Sequence, residues 1–262
     1  MRMRWILLPL LFLSLGQVRA DMVEREVAYS IGDTRFSSVL VHDASVEAAQ
    51  PGLVLVPNWM GMTPGNIDKA KAIAARGYVV LVADIYGEDV RPTGPQEASQ
   101  AARAMLSDRR TLRDRAGMAL GELMSLGASG SVAIDLTRIG AIGFCFGGST
   151  VLEMAREGMD LAGVVSFHGG LATDMPAEGG IKASVLVLNG ADDAAVTAEH
   201  IAAFEVEMRK AGADWQFVNF GGAVHCFAEA DAASPPNCIF HERSARRAYA
   251  LMDAFFTERF AR

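Results

Sequence analysis

The run Gly143-Phe144-Cys145-Phe146-Gly147-Gly148 places one cysteine between glycines. A strand-like apolar stretch beginning at Ile139 leads into it, and a helix-like segment from Ser149 to Arg156 follows. A sharp strand-to-helix turn crowds the backbone two residues before and after its apex, and only glycine there avoids a Cβ clash. The turn lifts the apex side chain out of the sheet, beside a helix N-terminus whose partial positive charge favours an anion. The chemistry implied is nucleophilic attack by sulfur. A glycine-rich turn carrying a buried, inert cysteine accounts for the six residues equally well, so the partners decide.

A thiol nucleophile needs a base, and the base needs an acid to orient it. The strand-like segment 185–188 ends in Asn189-Gly190-Ala191-Asp192-Asp193. Asp193 has the better spacing for the acid, with Asp192 as the alternative; an Asp pair in a turn or at a helix start is the plainer reading. The segment Trp215–Phe220 ends in Gly221-Gly222-Ala223-Val224-His225, just ahead of a C-terminal helical pattern. His225 is therefore the candidate base. Cys145, Asp193 and His225 each fall at the carboxyl end of a strand, where ligands bind in open parallel sheets. His42, His200 and His241 read as ordinary surface residues. His168 also ends a strand, in Phe167-His168-Gly169-Gly170, but it precedes the acid and reads as a pocket wall.

The elements that must hold these groups follow a clear rhythm. Alternating segments at 23–30 and 34–41 predict a hairpin turning at Gly32-Asp33. Further strands are expected at 53–56, 78–83, 139–144, 161–167, 185–188 and Trp215–Phe220. Helices are expected at 67–76, 97–126, 145–156, Ala198–Lys210 and 243–260, the long second one weakened by Gly117 and Gly121. An antiparallel start followed by strand–helix repeats predicts an α/β fold, a mostly parallel doubly wound sheet with an antiparallel N-terminal hairpin. No repeat, linker or low-complexity tract divides the chain, so one domain over 21–262 is expected.

Residues 1–20 read as a cleavable signal peptide: basic Arg2 and Arg4, an apolar core from Trp5 to Leu15, and Val18-Arg19-Ala20 as the cleavage site. The apolar core is too short to span a bilayer, which takes about 20 residues. The expected product is periplasmic or secreted, without a stable membrane anchor. Loss of Arg2, Arg4 and Arg19 takes the net charge from -7 to -10. An acidic chain without basic runs excludes nucleic acid and anionic membrane surfaces as expected partners. Export places the three cysteines in an oxidising compartment. With Cys145 assigned to the turn, Cys226 and Cys238 flank the loop containing Ser234-Pro235-Pro236-Asn237, a span that suits a disulfide.

The arrangement resembles the dienelactone hydrolase family of the α/β-hydrolase superfamily across nearly all of 23–260. The marks are Gly-Phe-Cys-Phe-Gly-Gly at 143–148, Gly-Ala-Asp-Asp at 190–193, Val-His-Cys-Phe at 224–227, Pro57-Asn58-Trp59-Met60-Gly61, and Ala83-Asp84-Ile85-Tyr86-Gly87. The resemblance implies a Cys145-His225-Asp193 hydrolase of cyclic or activated esters, working through an acyl-thioester without metal or cofactor. It implies an oxyanion hole from the backbone N–H groups of Trp59 and Phe146, with the Trp59 ring also a candidate pocket wall. Asn58 and Tyr86 join His168 as expected pocket residues. The partner is a small-molecule ester or lactone, and the protein a monomer or small homo-oligomer. A peptidase, a thioesterase, or a non-catalytic ligand-binding relative on the same scaffold are the alternatives.

Two departures from the family narrow the expectation. Asn58 stands where the family has a glutamate contacting the resting thiol; an amide can hydrogen-bond sulfur but cannot take a proton. Glu229 stands where the family places a substrate-binding arginine, and Glu88 lies near the other. These acids predict a neutral or cationic substrate. Loops 86–96, 169–182 and 226–240 are expected to shape the pocket.

Overall fold

A computed structural model describes residues 21–261, and the signal segment expected at 1–20 lies outside the described residues. The chain opens with β1 (Met22–Ile31) and β2 (Thr34–Asp43), antiparallel about a tight turn in which Gly32 takes φ 56°. There follow β3 (Gln50–Val56), α1 (Pro64–Ala74), β4 (Val79–Val82), α2 (Pro95–Ser107), α3 (Arg109–Ala128) and β5 (Ile134–Phe144). Next come α4 (Phe146–Arg156), β6 (Gly163–Phe167), β7 (Ser184–Gly190), α5 (Ala198–Lys210) and β8 (Trp215–Phe220). A small ribbon of β9 (Ala233–Ser234) and β10 (Cys238–Ile239) precedes α6 (Glu242–Arg259).

The main sheet has eight strands in the order β1-β2-β4-β3-β5-β6-β7-β8. Pairings from β4 across to β8 are parallel, whereas β2 joins β4 antiparallel. From β3 the chain steps outward to β4 and returns on the other side to β5. Strand order reverses there, and a crevice opens at the carboxyl ends of β3 and β5.

Alternation along the strands divides the core into two layers. Val54, Val56 and Leu81 face Leu112 and Leu123 of α3, Val151 of α4 and Phe204 of α5. Leu53, Leu55 and Val80 face Ala70 and Ile73 of α1 and Met252 and Phe256 of α6. Buried on both faces, these strands read as unbroken apolar runs rather than alternating ones. On the α3–α4 side, buried charges are paired. Arg113 forks onto Glu153 at 2.9 and 2.7 Å, and Arg156 forks onto Glu207 at 3.0 and 2.8 Å.

One helix expectation needs correction. The stretch 97–126 forms two helices, and the break falls at Asp108 rather than at Gly117 or Gly121. Asp108 leaves helical geometry, at φ -125° and ψ 76°, and its carboxylate accepts the Thr111 N–H at 3.0 Å. A local N-cap therefore ended one helix and began the next. The glycines inside α3 are tolerated, Gly117 leaving room for the Met159 methyl.

Phe256 is fully buried, stacked on Phe260 and set edge-on to Tyr78. Replacing Phe256 with Ala is expected to lower the unfolding free energy by about 3–5 kcal/mol in urea titration, without loss of the fold.

Candidate active site

The loop from β5 to α4 is built by backbone packed on backbone. A Cβ on Gly143 would sit 2.0 Å from the Gly147 carbonyl oxygen, and one on Gly147 equally close to that of Val56. Between them Cys145 caps α4 with φ 55° and ψ -114°. That conformation costs a non-glycine residue about 1–3 kcal/mol and persists only where the surroundings impose it. The Cys145 N–H donates to the Phe167 carbonyl at 3.0 Å and to His168 Nδ1 at 3.2 Å. The thiol is half-buried, and Cys145 is the one free cysteine among the described residues.

Asp193 and His225 reach the same place because the loops after β7 and β8 are stitched together. Ala191 N–H donates to Phe220 O at 2.9 Å and Asp192 N–H to Ala223 O at 3.0 Å. His225 Nδ1 then lies 2.7 Å from Asp193 Oδ2. A carboxylate only accepts, so Nδ1 donates and Nε2 is left toward Cys145. Asp193 Oδ1 also accepts the Ala195 N–H at 2.9 Å. Asp192, the alternative acid, is exposed at the cleft mouth.

The electrostatics follow from this geometry. Burial alone would lower the His225 pKa, but hydrogen bonds to Asp193 and Cys145 and their charges push it up to about 10. Burial would likewise raise Asp193, but the His225 bond and charge and the Ala195 N–H hold it below the usual carboxylate value.

Cys145, His225, Asp193, Asn58, Trp59, Cys226 and Cys238 all line one cleft of about 670 Å³. Its far wall is the 226–238 loop, closed by a Cys226–Cys238 disulfide with Cα atoms 4.9 Å apart. This is the pairing expected from the sequence. The β10 end of the loop bridges to His225, whose carbonyl accepts the Ile239 N–H at 3.2 Å. The β9–β10 ribbon was not anticipated, its strands being only two residues each. Of the three loops expected to shape the pocket, only 226–240 lines this cleft; 86–96 and 169–182 do not, and 192–195 does.

Two residues expected in the pocket, His168 and Tyr86, lie behind the cleft wall instead of on it. His168 is fully buried, and Tyr86 and Phe146 nearly so. The Tyr86 hydroxyl donates to the Trp59 carbonyl at 3.0 Å while its ring packs 5.2 Å from that of Phe146. It braces the two segments expected to form the oxyanion hole. Phe146 opens α4, where a backbone N–H has no acceptor within the helix.

Asn58 does not reach for the sulfur. Its amide donates to Glu229 Oε2 at 2.5 Å, and its oxygen accepts Met60 N–H and Asn66 Nδ2, both at 3.1 Å. Glu229 is buried and also binds Lys69 Nζ, which lies 4.4 Å over the Phe144 ring. Glu229 lines the cleft, with its charge paired to Lys69. Glu88 drops out: it pairs with Arg35 at 2.9 Å on the surface and does not line the cleft. Sequence reading missed Lys69. The available signal was Asn66 and Lys69, three apart on the face of α1 that also carries Ala70 and Ile73.

Comparison with known proteins places this geometry. The model of the dienelactone hydrolase family matches residues 36–260. The solved structure m3DLH is 33% identical, with TM-score 0.83, covering 90% of this chain and 98% of its own. A dienelactone hydrolase-like promiscuous phosphotriesterase, P91 from metagenomic libraries, is 34% identical, with TM-score 0.84, covering 92% of this chain and 99% of its own. An uncharacterised protein of Caenorhabditis elegans is 32% identical over 163 residues, 60% of this chain and 100% of its own.

Two measurements probe the site's physics. A raised histidine pKa stabilises the fold fully below the unfolded value of 6.5, and that stability fades as pH rises toward about 10. A lowered Asp pKa stabilises above 3.8 and is lost as pH falls through the folded value. The melting-temperature gap between wild type and Asp193→Asn should therefore be widest between 3.8 and 6.5 and narrow on either side of that window. Opening the disulfide by Cys226→Ala with Cys238→Ala should cost about 2–4 kcal/mol in urea unfolding.

Proposed function

The chain belongs to the dienelactone hydrolase family, and on that premise we propose that it cleaves carboxylic esters or lactones through a Cys145-His225-Asp193 triad and an acyl-thioester. The family's chemistry is hydrolysis of ester bonds in small molecules. The observation that carries the finer reading is the 2.7 Å His225–Asp193 contact beside the cysteine that caps α4.

The steps follow from the groups present. Cys145 gives its thiol proton to His225 Nε2, its sulfur adds to the ester carbonyl, and the displaced electron pair moves onto oxygen. The backbone N–H groups of Phe146 and Trp59 meet that oxyanion, Trp59 being held from its carbonyl side by Tyr86. Collapse expels the alcohol, which takes its proton from His225 Nε2. Water then attacks the thioester, giving its proton to His225 while Asp193 keeps the ring oriented. Sulfur leaves and takes that proton back from His225, and the acid is released.

Substrate charge is set by what borders the cleft. No Lys or Arg is among the residues that line it, whereas Asp192 and Asp231 stand exposed in it. A substrate carboxylate has no Lys or Arg to meet there, so a neutral ester or lactone is the proposed substrate. Export belongs to the same proposal: the pattern at 1–20 supports it, as does the disulfide, a bond typical of oxidising compartments. N-terminal sequencing of the protein from its host should begin at Asp21; a chain still starting at Met1 overturns export.

A panel of short neutral esters, lactones and the carboxylate-bearing dienelactone, run on wild type and variants, tests the rest. Cys145→Ala and His225→Ala should each lower kcat by roughly a thousandfold or more. Mass spectrometry of quenched wild type should find the acyl group on Cys145. Unchanged turnover in Cys145→Ala sinks the triad, and preference for dienelactone over neutral esters sinks the substrate reading.

A further inference from the structure

The mechanism above leaves a buried histidine beside the nucleophile without a task. His168 ends β6 with φ 41°, an unusual conformation for a non-glycine residue, and its ring is completely enclosed. Its own N–H donates to Leu188 O at 2.8 Å, which ties the end of β6 to the end of β7. The ring stands edge-on to His225, with centroids 5.1 Å apart, and lies against Phe227 and Phe144.

Its two nitrogens are in different situations. Nδ1 lies 3.2 Å from the Cys145 N–H, so it accepts and carries no proton. Nε2 is buried without a hydrogen-bond partner, and Glu229 Oε1 is 3.7 Å away. A neutral ring with its proton on Nε2 fits both surroundings, because that N–H dipole points at the carboxylate. Glu229 is in turn held by Lys69 and Asn58. Burial, then the charges of His225 and Lys69, keeps the His168 pKa well below the ordinary imidazole value, with Asp193 opposing weakly.

We infer that His168 is a positioning residue for the nucleophile: its unprotonated Nδ1 accepts the Cys145 N–H and holds Cys145 in its left-handed backbone conformation. The inference rests on reading Cys145 as the nucleophile. The same N–H also reaches Phe167 O at 3.0 Å, so the bond is three-centred, and the ring supplies its second arm. The packing of Gly143 and Gly147 imposes the turn, and the second arm fixes Cys145 within it; without that arm the sulfur shifts from its place before His225. Glu229 acts one step further back, through the tautomer of His168, and touches no reacting atom in this scheme.

Two amide variants separate positioning from mere filling of space. The Asn oxygen in His168→Asn lies near the place of Nδ1 and keeps an acceptor for Cys145. The Gln oxygen in His168→Gln lies near that of Nε2 and does not. The full-length mature protein is treated with iodoacetamide, with labelling of Cys145 followed by mass spectrometry, and kcat and KM are measured on a neutral ester. His168→Gln and His168→Leu should lose about tenfold or more in both Cys145 labelling rate and kcat, with KM within about twofold. His168→Asn should stay within about threefold of wild type. Nitrogen-15 spectra of wild type should show a His168 ring protonated at Nε2 alone and untitrated through neutral pH. Labelling of His168→Gln at the wild-type rate, equal losses in the Asn and Gln variants, or a proton on Nδ1 would each overturn the inference. Should His168→Leu not fold, the Asn and Gln pair, alike in polarity, still decides. Labelling needs no substrate, so a wild type that cleaves no ester sinks the proposed function without touching this test.

Discussion

Everything at the cleft hangs on one close approach of main chain to main chain. The start of α4 lies against the end of β3 with no space for a side chain, Gly147 meeting the Val56 and Pro57 carbonyls. This contact fixes the helix N-terminus beneath the loop that carries Asn58 and Trp59. It also forces Cys145 into a backbone conformation that a free chain would avoid. Because β3 is where strand order reverses, the thiol emerges at the crevice rather than in the middle of a covered face. A substitution that pushed α4 off β3 would move the sulfur, the helix terminus and the Trp59 loop together.

Charge around Cys145 is arranged in two buried acid–base couples of different character. Asp193 and His225 form one that faces the cleft and exchanges protons in the proposed cycle. Lys69 and Glu229 form the other, set into the wall beside Asn58 and roofed on one side by the Phe144 ring. Breaking such a buried pair by removing one partner leaves an uncompensated charge, which is far more costly than removing both. The second couple is thus a fixed dipole in the wall, and it lets Asn58 serve the loop architecture instead of the sulfur.

The residues of the proposed triad were legible because each lies in a short local pattern at a strand end. Cys145 was marked by flanking glycines, Asp193 by its distance from Gly190, and His225 by its place after the last long strand. The sheet was equally legible, since strands buried on both faces announce themselves as apolar runs. What stayed hidden depends on contacts between distant parts of the chain. Lys69 and Glu229 are 160 residues apart, and neither residue's neighbours hint at the pairing. His168 and Tyr86 were placed at the cleft but lie behind its wall, because strand-end position says nothing of which loops close over them. The break at Asp108 lost to the more visible glycines, although an aspartate three residues before Thr111 was a cap signal in plain view.

The disulfide beside His225 has a consequence for the integrity of the chain. Its two cysteines are 12 residues apart, and much of the stretch between them is exposed, including Asp231 and residues 233–237. A protease cut in that stretch would not release the C-terminal fragment, which carries α6 and its buried Met252 and Phe256. The two pieces would stay joined through sulfur and migrate as one chain until reduced. The wall of the cleft can therefore be nicked while the histidine it supports remains attached to both halves of the molecule.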